Sequence, residues 1–467
     1  MLAQKETLVT ESESLDRTPA KDVLDLADLG REVRVAGRVR SVRRMRATTF
    51  FDVSDISGTI QCALPTPIAE DERLKPGVLV DLQGVLDRTR TGALVIMASE
   101  PADVLTIEAA AMTQELKAER LHRTGRSVRD QRAQEILVDA ALQRRLVERA
   151  KTLHRLRGVM YDNEFLEVDT PVLALDRFAG SAESFAVTSK SLARTLYLRG
   201  SLENHLKQLV VGGMERVFNV GPSFRNESEA LIEFLMLEGA MAYASQMEAM
   251  TMIEHLTRVL AEEFEATAAD PDAREALMLP WRVVDFHDLL STHLNFDTRT
   301  VTLADVRNAA ARHELDLTVP DGDPADAMAN LGYTLLKWHI ADELKEPTFV
   351  NHFPTRLSPL ARACSTRPDV ADRGYMFFRG HRMCEIVQEE NDVIRQRSNF
   401  ERQDEGRNDP TTSTSHVNEV LLDALALGCP PTAGFGFHIN RFVAAVSGQD
   451  RVSDVVPFPL TSARIAR

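Results

Sequence analysis

Two apolar runs that follow one another with no helix between them constrain this chain most. Met214-Glu215-Arg216-Val217-Phe218-Asn219-Val220-Gly221 alternates as a buried strand does and runs on to Phe224-Arg225-Asn226-Glu227. Glu233-Phe234-Leu235-Met236-Leu237-Glu238 continues apolar and then turns helical through Leu260. Strand-like runs return at Thr348-Phe349-Val350, at Tyr375-Met376-Phe377-Phe378, from Arg382 to Val387, and in the Gly-rich stretch from Gly434. Strand after strand, with helices outside, predicts a mostly antiparallel sheet rather than a βαβ series. Phe165 to Val172 reads as a further strand stopped by Pro171, after an amphipathic helix over about 140–160. The span 267–343 mixes short helices with Pro/Asp-rich loops and reads as an insertion in a domain covering 136–467.

The first run ends on Arg225, with Glu227 two residues further on. A guanidinium presents a planar fork of donors that matches phosphate oxygens and keeps its charge, so this pairing suits a phosphate anchor beside a polar clamp. A strand-end ion pair is the competing reading. Arg441, in Gly434-Phe435-Gly436-Phe437-His438-Ile439-Asn440-Arg441-Phe442, adds a second cation beside a Gly-rich approach. Two such arginines point to a nucleotide site.

The N-terminal part has a different texture. Residues 1–20 are polar and read as a flexible tail. Residues 21–105 hold about five short strands separated by turn signals, the pattern of a small Greek-key barrel of the OB type. A loop carrying Arg40, Arg43, Arg44 and Arg46 precedes Phe50. Basic residues beside an aromatic suit single-stranded nucleic acid, whose bases stack on rings; a core Phe50 with a solvated basic loop is the alternative. Residues 106–135 are charged and helix-prone, a linker. The formal net charge of −15 argues against a generally basic nucleic-acid binder, though not against a local basic face. Four scattered cysteines without a C-x-x-C pair argue against a disulfide framework or zinc site. No apolar run is long enough for a bilayer, so a cytoplasmic protein with no membrane partner is expected.

With these segments in place, the chain resembles the class II aminoacyl-tRNA synthetases, the lysyl-tRNA synthetases most of all. Phe165 to Pro171 (F-L-E-V-D-T-P) resembles the first class II motif, Gly212 to Glu227 the second, and Pro430 to Phe442 the third. Pro347 to Arg362 (P-T-F-V-N-H-F-P-T-R-L-S-P-L-A-R) is similar to a lysyl-type block. The resemblance implies an α+β fold: an OB-type anticodon-binding barrel, then a class II antiparallel sheet flanked by helices, in a homodimer. It also implies ATP and Mg2+ as cofactors, and tRNA and an amino acid as partners. By the same resemblance Arg225 and Arg441 are the catalytic cations. Arg225 grips the α-phosphate and the amino-acid carboxylate, Glu227 accepts from the adenine amino group, Phe234 stacks under adenine, and Arg441 covers it. Glu203 and Glu238 hold the substrate α-amino end, and Glu389 pairs with a lysine ε-ammonium. Glu385 stands where the family has an Asn in that pocket. In the barrel, Phe50 and Gln61 fall where anticodon bases are stacked and hydrogen-bonded, with Arg43 nearby.

The departures gather at the chemistry. Two glutamates that bind magnesium in the family align with Tyr375 and Arg382, which leaves the metal ligands unknown; a cation at Arg382 or a shifted Glu385 are the two ways to compensate. Ala240 replaces a Tyr near the lysine ε-amino group, His438 a Gly and Asn440 an Asp, and Ser228 to Ile232 is shorter than the family's loop. This pattern suits a diverged paralogue. One function is ATP-dependent activation of a lysine-like amino acid through an aminoacyl-adenylate, with tRNA or another nucleophile as acceptor. The other is a synthetase-like protein that binds tRNA, or uses charged aminoacyl-tRNA, without adenylation.

Overall fold

The structure is a computed structural model describing residues 16–26, 28–65, 74–98, 132–133, 135–137, 139–175, 184–226, 231–266, 268–315, 322–405 and 417–460. Most of the expected tail (1–20) and most of the linker (106–135) lie outside the described residues. The chain divides into two compact units, Met1–Asp139 and Ala140–Arg467.

In the first unit, strands β1 (Glu32–Arg44), β2 (Thr48–Ser54), β3 (Thr59–Pro65), β4 (Leu79–Arg88) and β5 (Leu94–Met97) close a barrel in the order β1-β2-β3-β5-β4. Period-2 alternation sends Val33, Val35, Phe51, Val53, Ile60, Cys62, Leu82 and Ile96 inward. A register shift between Val39 and Ser41 lets β1 pair with β4 over its first half and β2 over its second. Gly37 lies at this turn of the strand, where a Cβ would collide with the Ser54 backbone. The expected arginine loop is a correction: Arg40, Arg43 and Arg44 belong to β1 itself. Pairing with β2 continues the strand past the charged stretch, and a basic composition alone does not end a strand.

In the second unit, among the described residues, an eight-stranded sheet runs in the order β12-β13-β14-β15-β16-β11-β10-β6. These are β6 (Leu166–Glu167), β10 (Arg216–Phe224), β11 (Glu233–Ala242), β12 (Arg282–Asp285), β13 (Thr348–Asn351), β14 (Arg373–Phe378), β15 (His381–Gln388) and β16 (Thr432–His438). The middle is antiparallel as expected, and the two edge pairs, β6 with β10 and β12 with β13, are parallel. A small second sheet orders β7 (Leu173–Ala174), β9 (Arg194–Leu198) and β8 (Ala186–Ser189) as β7-β9-β8. The strand expected over Phe165–Val172 is only Leu166–Glu167 in length: Phe165 is buried in the core and Val168 returns one more hydrogen bond to Phe218 before the chain leaves the sheet. The span 267–343 supplies short helices and also β12, an edge strand of the main sheet.

Alternation divides the sheet into two faces. Phe218, Leu237, Cys384, Phe435 and Phe437 join the helices Ala140–Asp162, Gln246–Glu263 and Ile439–Val446 in the largest apolar core. The opposite face carries the polar and glycine residues described next. A capping box at Ser245 and Glu248 starts the helix Gln246–Glu263 directly after β11.

Candidate functional site

Strand register alone lines up one row across five strands. Tyr375 pairs with Glu385, Glu385 with Gly436, Gly436 with Glu238, and Glu238 with Asn219. These residues share the face opposite the core. Gly436 leaves an opening between two carboxylates, and Gly434 is glycine because Glu389 Oε1 fills the space a Cβ would need.

At one end of this face Arg225, Phe234, His438, Asn440 and Arg441 line one cavity together with Leu231, Leu235 and Val452. The sequence placed Arg225, Phe234 and Arg441 at a nucleotide, and the structure brings all three to the same cavity. Arg225 stacks its guanidinium 5.5 Å from the Phe234 ring centroid, and the His438 ring lies 5.7 Å from that ring at 34°. Arg225 Nε, just beyond β10, is buried without a hydrogen-bond partner, as are Ser223 Oγ and Asn219 Oδ1 within β10. Buried polar atoms are rarely left unpaired, so the Arg225 donor on the cavity wall marks where a polar ligand fits. Arg441 Nη1 donates to the Arg382 carbonyl at 3.0 Å. Burial, then the charges of Arg441, Arg382 and Arg225, pushes His438 well below its usual value and keeps it neutral. Asn440 accepts from Arg149 Nε at 3.1 Å, which anchors the start of its helix to the helix Ala140–Asp162. Glu227 lies outside the described residues.

The other end is acidic and enclosed. Glu238 Oε2 accepts from Ser201 Oγ at 2.7 Å and from the Leu202 N–H at 2.9 Å. Burial raises its carboxyl to about 7, against those two hydrogen bonds and the Arg225 charge. Glu203 opens the helix Glu203–Val211, and its Oε1 is buried with no partner. Burial, then the Glu389 charge, lifts Glu203 well above the carboxylate range. Glu389, expected to face a substrate ammonium, has a cation from its own chain: Lys207 Nζ lies 2.6 Å from Glu389 Oε2, both side chains almost fully buried. Burial pulls Lys207 down, but Glu389 and Glu203 outweigh it and hold it protonated. Glu385 is held by Arg373, Oε1 to Nε at 2.7 Å. Sequence reasoning missed Lys207 and Arg373. The spacing of Glu203 and Lys207, four apart on a helix whose Leu206 and Val210 are core, was the available signal.

Beside Glu385 the sheet changes its facing by one residue. Arg382 pairs with Phe377 and Cys384 with Met376, so Met383 is the extra residue of a bulge. Met383 and Cys384 both point into the core, which turns Arg382 to the site face. Its guanidinium stacks 4.7 Å from the Tyr375 ring centroid and donates to Tyr333 Oη at 3.0 Å.

In the other unit, Arg43 pairs with Phe50, Asp52 with Gln61, and Ser41 with Asp52. These residues lie on the outer face of the barrel. Phe50 is half-buried there while its neighbour Phe51 fills the core, so Phe50 is not a core residue. Arg43, Phe50 and Gln61 are thus neighbours on one surface.

Residues 127–462 match the family model for class II tRNA synthetases (D, K and N), and residues 33–104 match that for the OB-fold nucleic acid binding domain. The chain is 32% identical over 457 residues to a lysine–tRNA ligase of Synechococcus sp. (strain CC9311), covering 93% of this chain and 91% of that protein. It is 30% identical to one of Legionella pneumophila (strain Lens), covering 92% and 87%, and 28% identical to lysine–tRNA ligase 2 of Methanosarcina mazei, covering 92% and 85%. Among the described residues, no helix is long and apolar enough to cross a membrane.

Proposed function

The chain belongs to the class II tRNA synthetases of the D, K and N group, and on that premise we propose that it joins an amino acid bearing a side-chain cation, lysine or a near analogue, to tRNA by way of an aminoacyl-adenylate. The observation that carries this reading is Arg225, whose buried, unpartnered Nε lies between an aromatic cavity and a nest of carboxylates. An anion shared between ATP and an amino acid fits such a donor.

In the reaction, an oxygen of the amino-acid carboxylate attacks the α-phosphorus. The new O–P bond forms as the bond to the β-phosphate breaks, and pyrophosphate leaves. Charge grows on the α-phosphoryl oxygens, where a fixed guanidinium at Arg225 stabilises the transition state more than the ground state. Adenine lies against Phe234, with Arg441 opposite. The α-ammonium fits Glu238 and the unpartnered Glu203 oxygen, and the side-chain cation lies toward the carboxylates Glu385 and Glu389. Glu203 and Glu238, held proton-rich in the empty pocket, ionise when a cation enters, because an opposite charge lowers a carboxyl pKa. The Arg43, Phe50 and Gln61 face of the barrel takes anticodon bases. Tyr161, Leu166, Leu173 and Leu175 are large exposed apolar side chains near the first class II motif and support a homodimer.

The test is amino-acid-dependent ATP–pyrophosphate exchange across lysine, its shorter and longer diamino homologues and the neutral amino acids. Exchange confined to cationic amino acids is expected. No exchange with any of them, or exchange with neutral ones alone, overturns the reading.

A further inference from the structure

We propose that this protein holds the triphosphate with guanidinium groups in place of a carboxylate-bound magnesium ion, an inference that rests on the ATP reading above. Where the family places two metal-binding glutamates, the chain has Tyr375 and Arg382, and neither fits a divalent cation. Magnesium needs hard oxygen ligands in near-octahedral array. Tyr375 is only 2% exposed, its Oη accepts from Arg373 Nη2, and burial keeps its phenol protonated. Arg382 is itself a cation. Glu385, which pairs with Tyr375 on the same face, gives its Oε1 to Arg373.

The surrounding geometry favours a phosphate site. Arg382 and Arg373 both stack on Tyr375, their guanidinium carbons 4.7 and 5.1 Å from its centroid. The ring thus carries two cations against it. Arg441 is tied to the Arg382 backbone, so the cation lining the cavity and the cation on the ring are fixed relative to each other. Arg225 and Arg441 line the cavity with His438, and Arg382 lies close enough for its charge to reach His438. Among the described residues, the cavity wall carries no acidic side chain. The His/Cys/Asp/Glu group whose ligand atoms approach closely enough for a metal, among the described residues, is His352, Cys364 and Asp372, none of which lines the cavity. A guanidinium cannot lose its charge and grips phosphate oxygens in pairs, so it can neutralise the leaving pyrophosphate without a bound ion. The bulge at Met383 is what makes this possible, since without it Arg382 would face the core.

Isothermal titration of the full chain with ATP, in EDTA and in Mg2+, tests the proposal. Wild-type affinity is expected to differ by less than about threefold between the two. Arg382→Ala is expected to lose about tenfold or more in EDTA, as removal of one charge-assisted phosphate contact predicts, and Arg382→Lys to recover part of it. Tyr375→Glu/Arg382→Glu is expected to bind ATP only with Mg2+. If wild-type binding vanishes in EDTA and returns with Mg2+, the inference fails and the ATP reading stands. If ATP binds under neither condition, the ATP reading fails and the inference goes with it. If Arg382→Lys and Arg382→Ala bind ATP as the wild type does, Arg382 does not hold the triphosphate and the inference is overturned.

Discussion

The two ends of the pocket lie on one sheet face and are built in opposite ways. The acidic end is enclosed by the helix Glu203–Val211 and the strands β11 and β15, and its carboxylates are raised by burial or held by Lys207, Ser201 and Arg373. The cationic end is formed where strands stop: Arg225 just beyond β10, Arg441 in the first turn after β16, Arg382 at a bulge. Strand interiors give fixed directions to short side chains; strand ends and bulges let long guanidinium groups converge. On the proposed reading, the difference means that the acidic end suits a compact cation and the cationic end an extended anion.

The largest expected effect comes from the group between the two ends. Arg225→Ala should lower amino-acid-dependent exchange by about a hundredfold to a thousandfold, since a lost transition-state donor costs on the order of 3–4 kcal/mol. Activity near wild type would break the division into two ends. Lys207→Met comes next and acts on the acidic end alone. It strands Glu389 in the interior, so thermal denaturation should report a loss of roughly 3–5 kcal/mol, partly restored by a diamino acid that replaces the missing ammonium. Equal stability with and without that ligand would separate Glu389 from the substrate.

Glu238→Gln sharpens the contrast through pH. Folding raises this carboxyl from 4.5 to about 7, so its contribution to stability is full below 4.5 and lost as pH rises through 7. The amide stays in the neutral state throughout. The variant should therefore melt above the wild type at pH 8, by the equivalent of about 1–3 kcal/mol, with the gap closed by pH 4.5, while amino-acid binding is lost. For the wild type, calorimetry in buffers of different ionisation enthalpy should show proton release when a cationic amino acid binds, and weaker binding at pH 6 than at pH 8. The smallest effect lies outside the pocket. Phe50→Ala should weaken tRNA-dependent aminoacylation by roughly tenfold, from about 1–3 kcal/mol of lost base stacking, and leave exchange unchanged. An equal fall in the tRNA-free assay would refute that separation.

Much of this was legible in the sequence where chemistry and spacing are local. Arg225, Phe234 and Arg441 were expected at one nucleotide and line one cavity, and Glu203, Glu238, Glu385 and Glu389 form one acidic group, because each lies on, or at the end of, an element packed on the same sheet face. Charge misled at the barrel, where a stretch of arginines read as a loop is a paired strand. Glu389 was matched to a substrate ammonium, and nothing in its own stretch announced Lys207, whose partner is far along the chain.

The sequence by itself determined which segments alternate and which side chains carry charge, because both depend on neighbours along the chain. Only the tertiary structure decided which face each strand shows and which charges meet. A strand's period of two is indifferent to which side is buried, and one extra residue, Met383, reverses the choice. Closure of the barrel set Phe51 inside and Phe50 outside, and the same kind of distant pairing set Arg382 over Tyr375 and Lys207 against Glu389.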